Sequence, residues 1–146
     1  MIVLDAYAVL ALLKGEAAAS DVRRLLEGAE PTMLTALGVA EVIDHLVRLV
    51  QVDDEAASLD LAQLGLLDPP ALDAPTAAAA GRLWARRYHR TACAVSLADC
   101  VAAEVARREG ARLATADPHL LDVCHVERIA VHALPATDGS TWSAPA

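Results

Sequence analysis

Residues 96–121 read SLADCVAAEVARREGARLATADPHLL, and this stretch sets the class of fold. Ser96 opens a helix whose apolar and small residues recur at helical spacing as far as Glu109, and Gly110 stops it. Arg112 to Ala116 is strand-like. Asp117-Pro118 then starts a short helix to about Val123, with an N-cap acid followed by Pro at the first helical position. A helix, a strand and a helix in such close order imply an α/β layer fold with a mainly parallel sheet.

Working outward, Ile2 to Leu4 is an apolar run ending at Asp5, as expected of a buried parallel strand, and a first helix stops at Lys14-Gly15. A second helix is expected from about Ala18 to Glu27, and Pro31 breaks the chain before a short strand at Met33 to Thr35. A longer helix is expected from Leu37 to Gln51, with Val39, Ile43, Leu46, Val47 and Val50 at helical spacing and Glu41, Asp44, His45 and Arg48 mainly opposite. Further helices are read at Asp53 to Leu64 and from Pro75 to about His89, and a last strand at Ile129 to Leu134. Residues 1–134 form one expected domain, and 135–146, rich in turn and small polar residues, read as a flexible tail.

Length and composition bound the function. A chain of 146 residues accommodates one sizeable core, and with 55% apolar residues, 3% aromatics and no Phe that core is built from Ala, Leu and Val. No apolar run approaches the ~18 residues of a membrane span, so a cytoplasmic location without membrane contact is expected. Cys93, Cys100 and Cys124 are odd in number and contain no C-x-x-C pair, which reads as small buried thiols rather than a disulfide framework or zinc knuckle. The net charge of -8 has the wrong sign for coating nucleic acid, so any contact with RNA must be local.

Two acids, Asp5 and Asp117, fall just after strand ends, where ligands of open α/β sheets bind. Two more, Glu41 and Asp99, lie on helices that such a fold can bring to the same edge. Each has an ordinary alternative. Asp5 and Asp117 can cap helices, Ser96 and Asp99 have the spacing of a capping box, and Glu41 can be solvated. Taken together, carboxylates converging without nearby basic residues favour a hard divalent cation, because ionised groups at a dry sheet edge are costly unless a cation or donors meet them.

With these residues in view, LDAYAVLALL (4–13), ALGVAEVIDHLVR (36–48) and residues 96–121 resemble the successive acidic motifs of the PIN domain, particularly VapC-like ribonuclease toxins of toxin-antitoxin pairs. The resemblance covers Ile2 to about Leu134, and its most specific part spaces Asp99 and Asp117 by 18 residues. It implies a PIN-like three-layer α/β fold and a magnesium- or manganese-dependent endoribonuclease. Asp5 and Asp99 would be the principal metal ligands, with Glu41 and Asp117 completing the pocket directly or through water, and Ser96 and Thr115 as supporting hydrogen-bonding residues. An RNA substrate, a homodimer and a cognate antitoxin are implied in the same way. Tyr7 departs from the Ser or Thr many members carry two residues after the first acid.

Arg82, Arg86, Arg87 and Arg90 gather four of the 12 basic residues on one helix and its end, interleaved with Trp84 and Tyr88. The strip reads either as an RNA contact or as a solvated face over inward-packed aromatics. The five histidines form no close ligand pair, and Cys124-His125 lacks the second pair a zinc site needs. The competing functional readings are a metal-dependent phosphatase or DNA nuclease, which the same carboxylate chemistry serves, and a PIN-like protein-binding module without catalysis.

Overall fold

The computed structural model describes residues 1–145, and Ala146, the end of the expected tail, lies outside the described residues. Four strands, β1 (Ile2–Leu4), β2 (Thr32–Leu34), β3 (Arg112–Thr115) and β4 (Val131–Ala133), form one sheet in the order β2-β1-β3-β4 with every pairing parallel. In register, Ile2 lies opposite both Thr32 and Arg112. The two central strands are therefore β1 and β3. The chain leaves β1 toward β2 and later returns to its other side at β3, so the boundary between β1 and β3 is the point where ligands of such sheets bind.

The period-2 alternation of a strand gives the molecule its three layers. Ile2, Leu4, Leu34 and Ala114 pack into a core with α1 (Ala6–Lys14), α2 (Ala19–Glu27), α3 (Ala36–Asp44) and α4 (Asp54–Gln63). Val3 and Leu113 point to the opposite face, into a second core with α5 (Ala74–Arg87), α6 (Leu97–Glu109) and α7 (Pro118–Val126). This is the PIN-like three-layer α/β arrangement expected from the sequence. Small residues let the layers approach closely: a Cβ on Gly38 of α3 would stand 2.6 Å from a Leu34 side-chain carbon.

Local signals account for most element ends. Gly15 and Gly110 close α1 and α6 in the left-handed conformation, and Asp5, Thr35, Asp73, Ser96 and Asp117 each cap the helix that follows. The expected continuous helix from Leu37 to Gln51 is interrupted. After Asp44 the chain widens into a π-helical turn, His45–Leu49, and ends at Gln51 with φ 63°. The wider turn breaks the 3.6-residue phase, so Gly38, Val42 and Leu46 are the buried residues while Val47 and Val50 face solvent. The helix after Asp117 also outlasts the expected end at Val123 and runs to Val126.

Beyond β4 the chain turns through a bridge between Pro135 and Thr141, and the Trp142 indole donates to an Asp122 carboxylate oxygen at 2.8 Å. All three cysteines are free thiols, with Cys100 and Cys124 buried. Among the described residues, no helix is long and apolar enough to cross a membrane.

Candidate functional site

At the carboxyl end of the two central strands an open cleft of about 390 Å³ is lined by Asp5, Ala6, Tyr7, Leu10, Glu41, Asp44, His45, Asp99 and Asp117. It contains all four acids singled out from the sequence. Asp5 is delivered by the end of β1, Asp117 by the turn after β3, Glu41 by α3 and Asp99 by the first turn of α6.

Each acid is also used locally. Asp5 accepts the Ala8 backbone N–H at 2.8 Å, and Asp117 accepts those of His119 and Leu120 at 2.8 and 3.3 Å. Asp99 accepts the Ser96 backbone N–H at 2.7 Å. Capping and cleft lining are thus compatible roles, because a carboxylate carries about four lone-pair sites and the caps consume only some.

None of the four has a basic partner within bridging distance among the described residues. Their electrostatics follow from that. Asp5 is only 6% exposed, and desolvation pushes its pKa up to about 7, with the charges of Asp99 and Asp117 adding to the rise. Hydrogen bonds from the Thr115 side chain and the Ala8 amide oppose it. Burial also raises Asp99, with Asp117 adding, and raises Glu41, with Asp99 adding. The cleft is a set of oxygen donors that repel one another, with no Lys or Arg paired to them among the described residues.

That donor set fits a hard, hydrated divalent cation, and Asp5, Asp99 and Asp117 are the carboxylates available to one. Among the described residues no three His, Cys, Asp or Glu side chains form a ready-made metal cage. An ion held there would be one such as magnesium, which takes one or two carboxylates and keeps much of its water.

Thr115 and Ser96 both stand behind the acids. The fully buried Thr115 hydroxyl accepts the Asp117 backbone N–H at 3.0 Å and its proximity opposes the rise in the Asp5 pKa, and Ser96 caps α6 while bonding Asp99. The Tyr7 hydroxyl donates to the Pro135 carbonyl at 3.2 Å, so it is engaged away from the acids.

The arginine strip does not line the cleft. Arg86 and Arg87 of α5 converge with Arg107 of α6 on the Glu127 carboxylate at 2.7–3.3 Å, and these three hold its pKa down at about 2. Arg82 and Arg90 are exposed. Trp84 donates its indole N–H to the Val95 carbonyl at 3.0 Å and packs on Tyr88 with ring centroids 4.8 Å apart.

Two further lining residues, Asp44 and His45, were read from the sequence as sharing the polar face with Glu41 but were not assigned to the site. Asp44 is held in a two-point pair with Arg48 at 2.7 and 2.9 Å, and His45 Nε2 lies 3.5 Å from Lys14 Nζ. The signal that could have found them is their i+3 and i+4 spacing from Glu41 on the same helix face.

A family model for the PIN domain matches residues 2–126. Among solved structures the chain is similar to a chain of VapBC2 from Rickettsia felis, crystallised bound to a DNA fragment from their promoter. The identity is 18% over 92% of this chain and 99% of that one, with a TM-score of 0.64. No curated protein matches it significantly. Four parallel strands, helices on both faces, acids converging at the central strand ends and a family match across residues 2–126 agree: the chain belongs to the PIN domain family.

Proposed function

We propose that the protein is a metal-dependent endoribonuclease, the toxin component of a VapBC-like toxin-antitoxin pair. The observation that carries the reading is the cleft that Asp5, Glu41, Asp99 and Asp117 line together, none of them paired with Lys or Arg among the described residues. Family membership supports nuclease chemistry, and the fold shared with a chain of VapBC2 supports the toxin assignment.

Asp5, Asp99 and Asp117 would hold magnesium or manganese, with Glu41 completing the pocket. When bound, the ion supplies an activated water and neutralises charge on the phosphoryl oxygens. The chain's own residues position. The caps at Asp5, Asp99 and Asp117 fix each carboxylate relative to its helix, and the Thr115 hydroxyl holds the Asp117 amide. Glu41, half-buried with a raised pKa, is suited to accept a proton from water at the cleft. Phosphodiester hydrolysis then transfers water's oxygen to phosphorus and releases the ribose oxygen as an alcohol.

The partners proposed with this reading are an RNA substrate, a small antitoxin covering the acidic groove and a second copy of the chain, in the cytoplasm. The test is cleavage of RNA by purified protein with magnesium or manganese, compared with EDTA and with Asp99→Asn, beside single-stranded DNA and a phosphate monoester. RNA cleavage only in the metal-replete native protein supports the reading. Cleavage retained by Asp99→Asn, or a preference for DNA or the monoester, overturns it.

A further inference from the structure

We propose that the ring of Tyr7 is a stacking platform for the nucleobase beside the bond being cut, so that an unpaired base is part of what the cleft recognises. The inference rests on the ribonuclease reading above.

Tyr7 lies in the first turn of α1, two residues after Asp5, and lines the cleft with the four acids. Its hydroxyl is bonded to the Pro135 carbonyl at 3.2 Å, just past the point where the Leu134 amide extends β4 by bonding the Thr115 carbonyl. The half-buried ring also packs against the apolar core of α1 to α4. With its hydroxyl bonded to Pro135 and its ring packed against the core, the Tyr7 side chain is held from two sides where the residue lines the cleft.

The chain has only four Trp, Tyr and Phe residues in all. Trp84 and Tyr88 pack on each other, and Trp142 stands edge-on to His125 at 6.1 Å. Tyr7 has no aromatic partner among the described residues, and of the Trp and Tyr residues it alone is among those lining the cleft, where it stands with the His45 imidazole. An acidic protein of net charge -8 gains little from long-range attraction for RNA, so a contact independent of charge matters more here than in a basic nuclease. Base stacking on an aromatic ring is such a contact, and every base has the face it needs. Bases in a duplex are already stacked on their neighbours, so the base that reaches Tyr7 must be unpaired.

The test uses the Asp99→Asn protein with magnesium and a fluorescein-labelled single-stranded RNA of about 12 nucleotides, carrying one abasic position stepped along the strand. Anisotropy reads binding. One abasic position should weaken binding about tenfold, Tyr7→Leu should weaken binding of the intact RNA by about the same factor, and the two losses should not add. Tyr7→Phe and Tyr7→Trp, which keep a ring, should bind as the parent does. Equal binding by folded Tyr7→Leu, or equal loss in Tyr7→Leu and Tyr7→Phe, overturns the proposal. Should Tyr7→Leu fail to fold, the abasic scan on the parent and on Tyr7→Trp decides, and the absence of any position-specific loss overturns it. Wild-type cleavage of the same RNA separates the two readings: cleavage with ring-independent binding sinks only this inference, whereas neither cleavage nor binding removes both.

Discussion

The Asp99 carboxylate accepts the Ser96 backbone N–H at 2.7 Å while the Ser96 hydroxyl accepts the Asp99 backbone N–H at 3.0 Å. One oxygen of a cleft-lining acid is thereby committed to the start of α6, and the charge is presented to the cleft from a fixed position. Charge and cap can be separated by substitution. Asp99→Asn keeps an acceptor for the Ser96 amide, so it should lower RNA cleavage by on the order of a hundredfold or more with little change in melting temperature. Asp99→Ala removes the cap as well and should cost about 1 kcal/mol, a few degrees in a thermal melt. Equal melting of the two variants would contradict the capping role.

Asp5 makes metal-free stability depend on pH. Its folded-state pKa of about 7 lies above the ordinary value of 3.8, so between these values the native state binds more protons than the unfolded one. Stability from the protonated form is fully present below about pH 4 and is lost as pH rises through 7, amounting to roughly 4 kcal/mol for this group. In EDTA the melting temperature should therefore fall between pH 5 and 8, and Asp5→Asn should flatten that slope. Magnesium should raise the melting temperature more at pH 8 than at pH 5, which differential scanning calorimetry would read.

Thr115 accepts the Asp117 amide from a fully buried position and holds down the pKa of Asp5. Thr115→Val conserves shape but leaves the Asp117 amide without its acceptor, and should destabilise the protein by about 1 to 2 kcal/mol in denaturant unfolding. It also removes a hydrogen bond that favours ionised Asp5. The acidic limb of the cleavage pH profile should move to higher pH, a displacement that simple loss of packing would not produce.

Glu127 joins Arg86, Arg87 and Arg107 well away from the cleft, with its pKa held down at about 2. The stability this contributes is present above the ordinary value of 4.5 and lost as pH falls toward 2. Glu127→Gln should cost about 1 to 2 kcal/mol at pH 7, since the arginines remain partly solvated, and should reduce the acid sensitivity of the fold. RNA cleavage at 25 °C should stay within about twofold of wild type. A large loss of cleavage in a folded variant would place this cluster in RNA binding.

Much of this architecture was legible in local sequence. Leu4-Asp5 marked the end of a buried strand, Gly110 the end of α6, and Asp117-Pro118 the start of α7, because caps and breakers act through the backbone within a few residues. Convergence of the four acids was an inference from strand ends in a parallel sheet, and they do line one cleft. The π-helical turn was not legible: His45 to Leu49 contains no Gly, Pro or small-residue break, so periodicity extended the helix and buried Val47 and Val50 on paper. The Tyr7 bond to Pro135 and the three arginines on Glu127 were hidden for another reason. They join residues far apart in the chain, and a spacing rule reads only neighbours.

The central claim is that Asp5, Asp99 and Asp117 hold a divalent ion in the cleft that Glu41 completes, and manganese binding followed by electron paramagnetic resonance tests it most directly. Wild-type protein at pH 7.5 should bind manganese, with affinity falling by roughly tenfold or more in Asp5→Asn and in Asp99→Asn and unchanged in Glu127→Gln. Binding that is absent from the wild type, or that survives both cleft substitutions undiminished, would contradict the account.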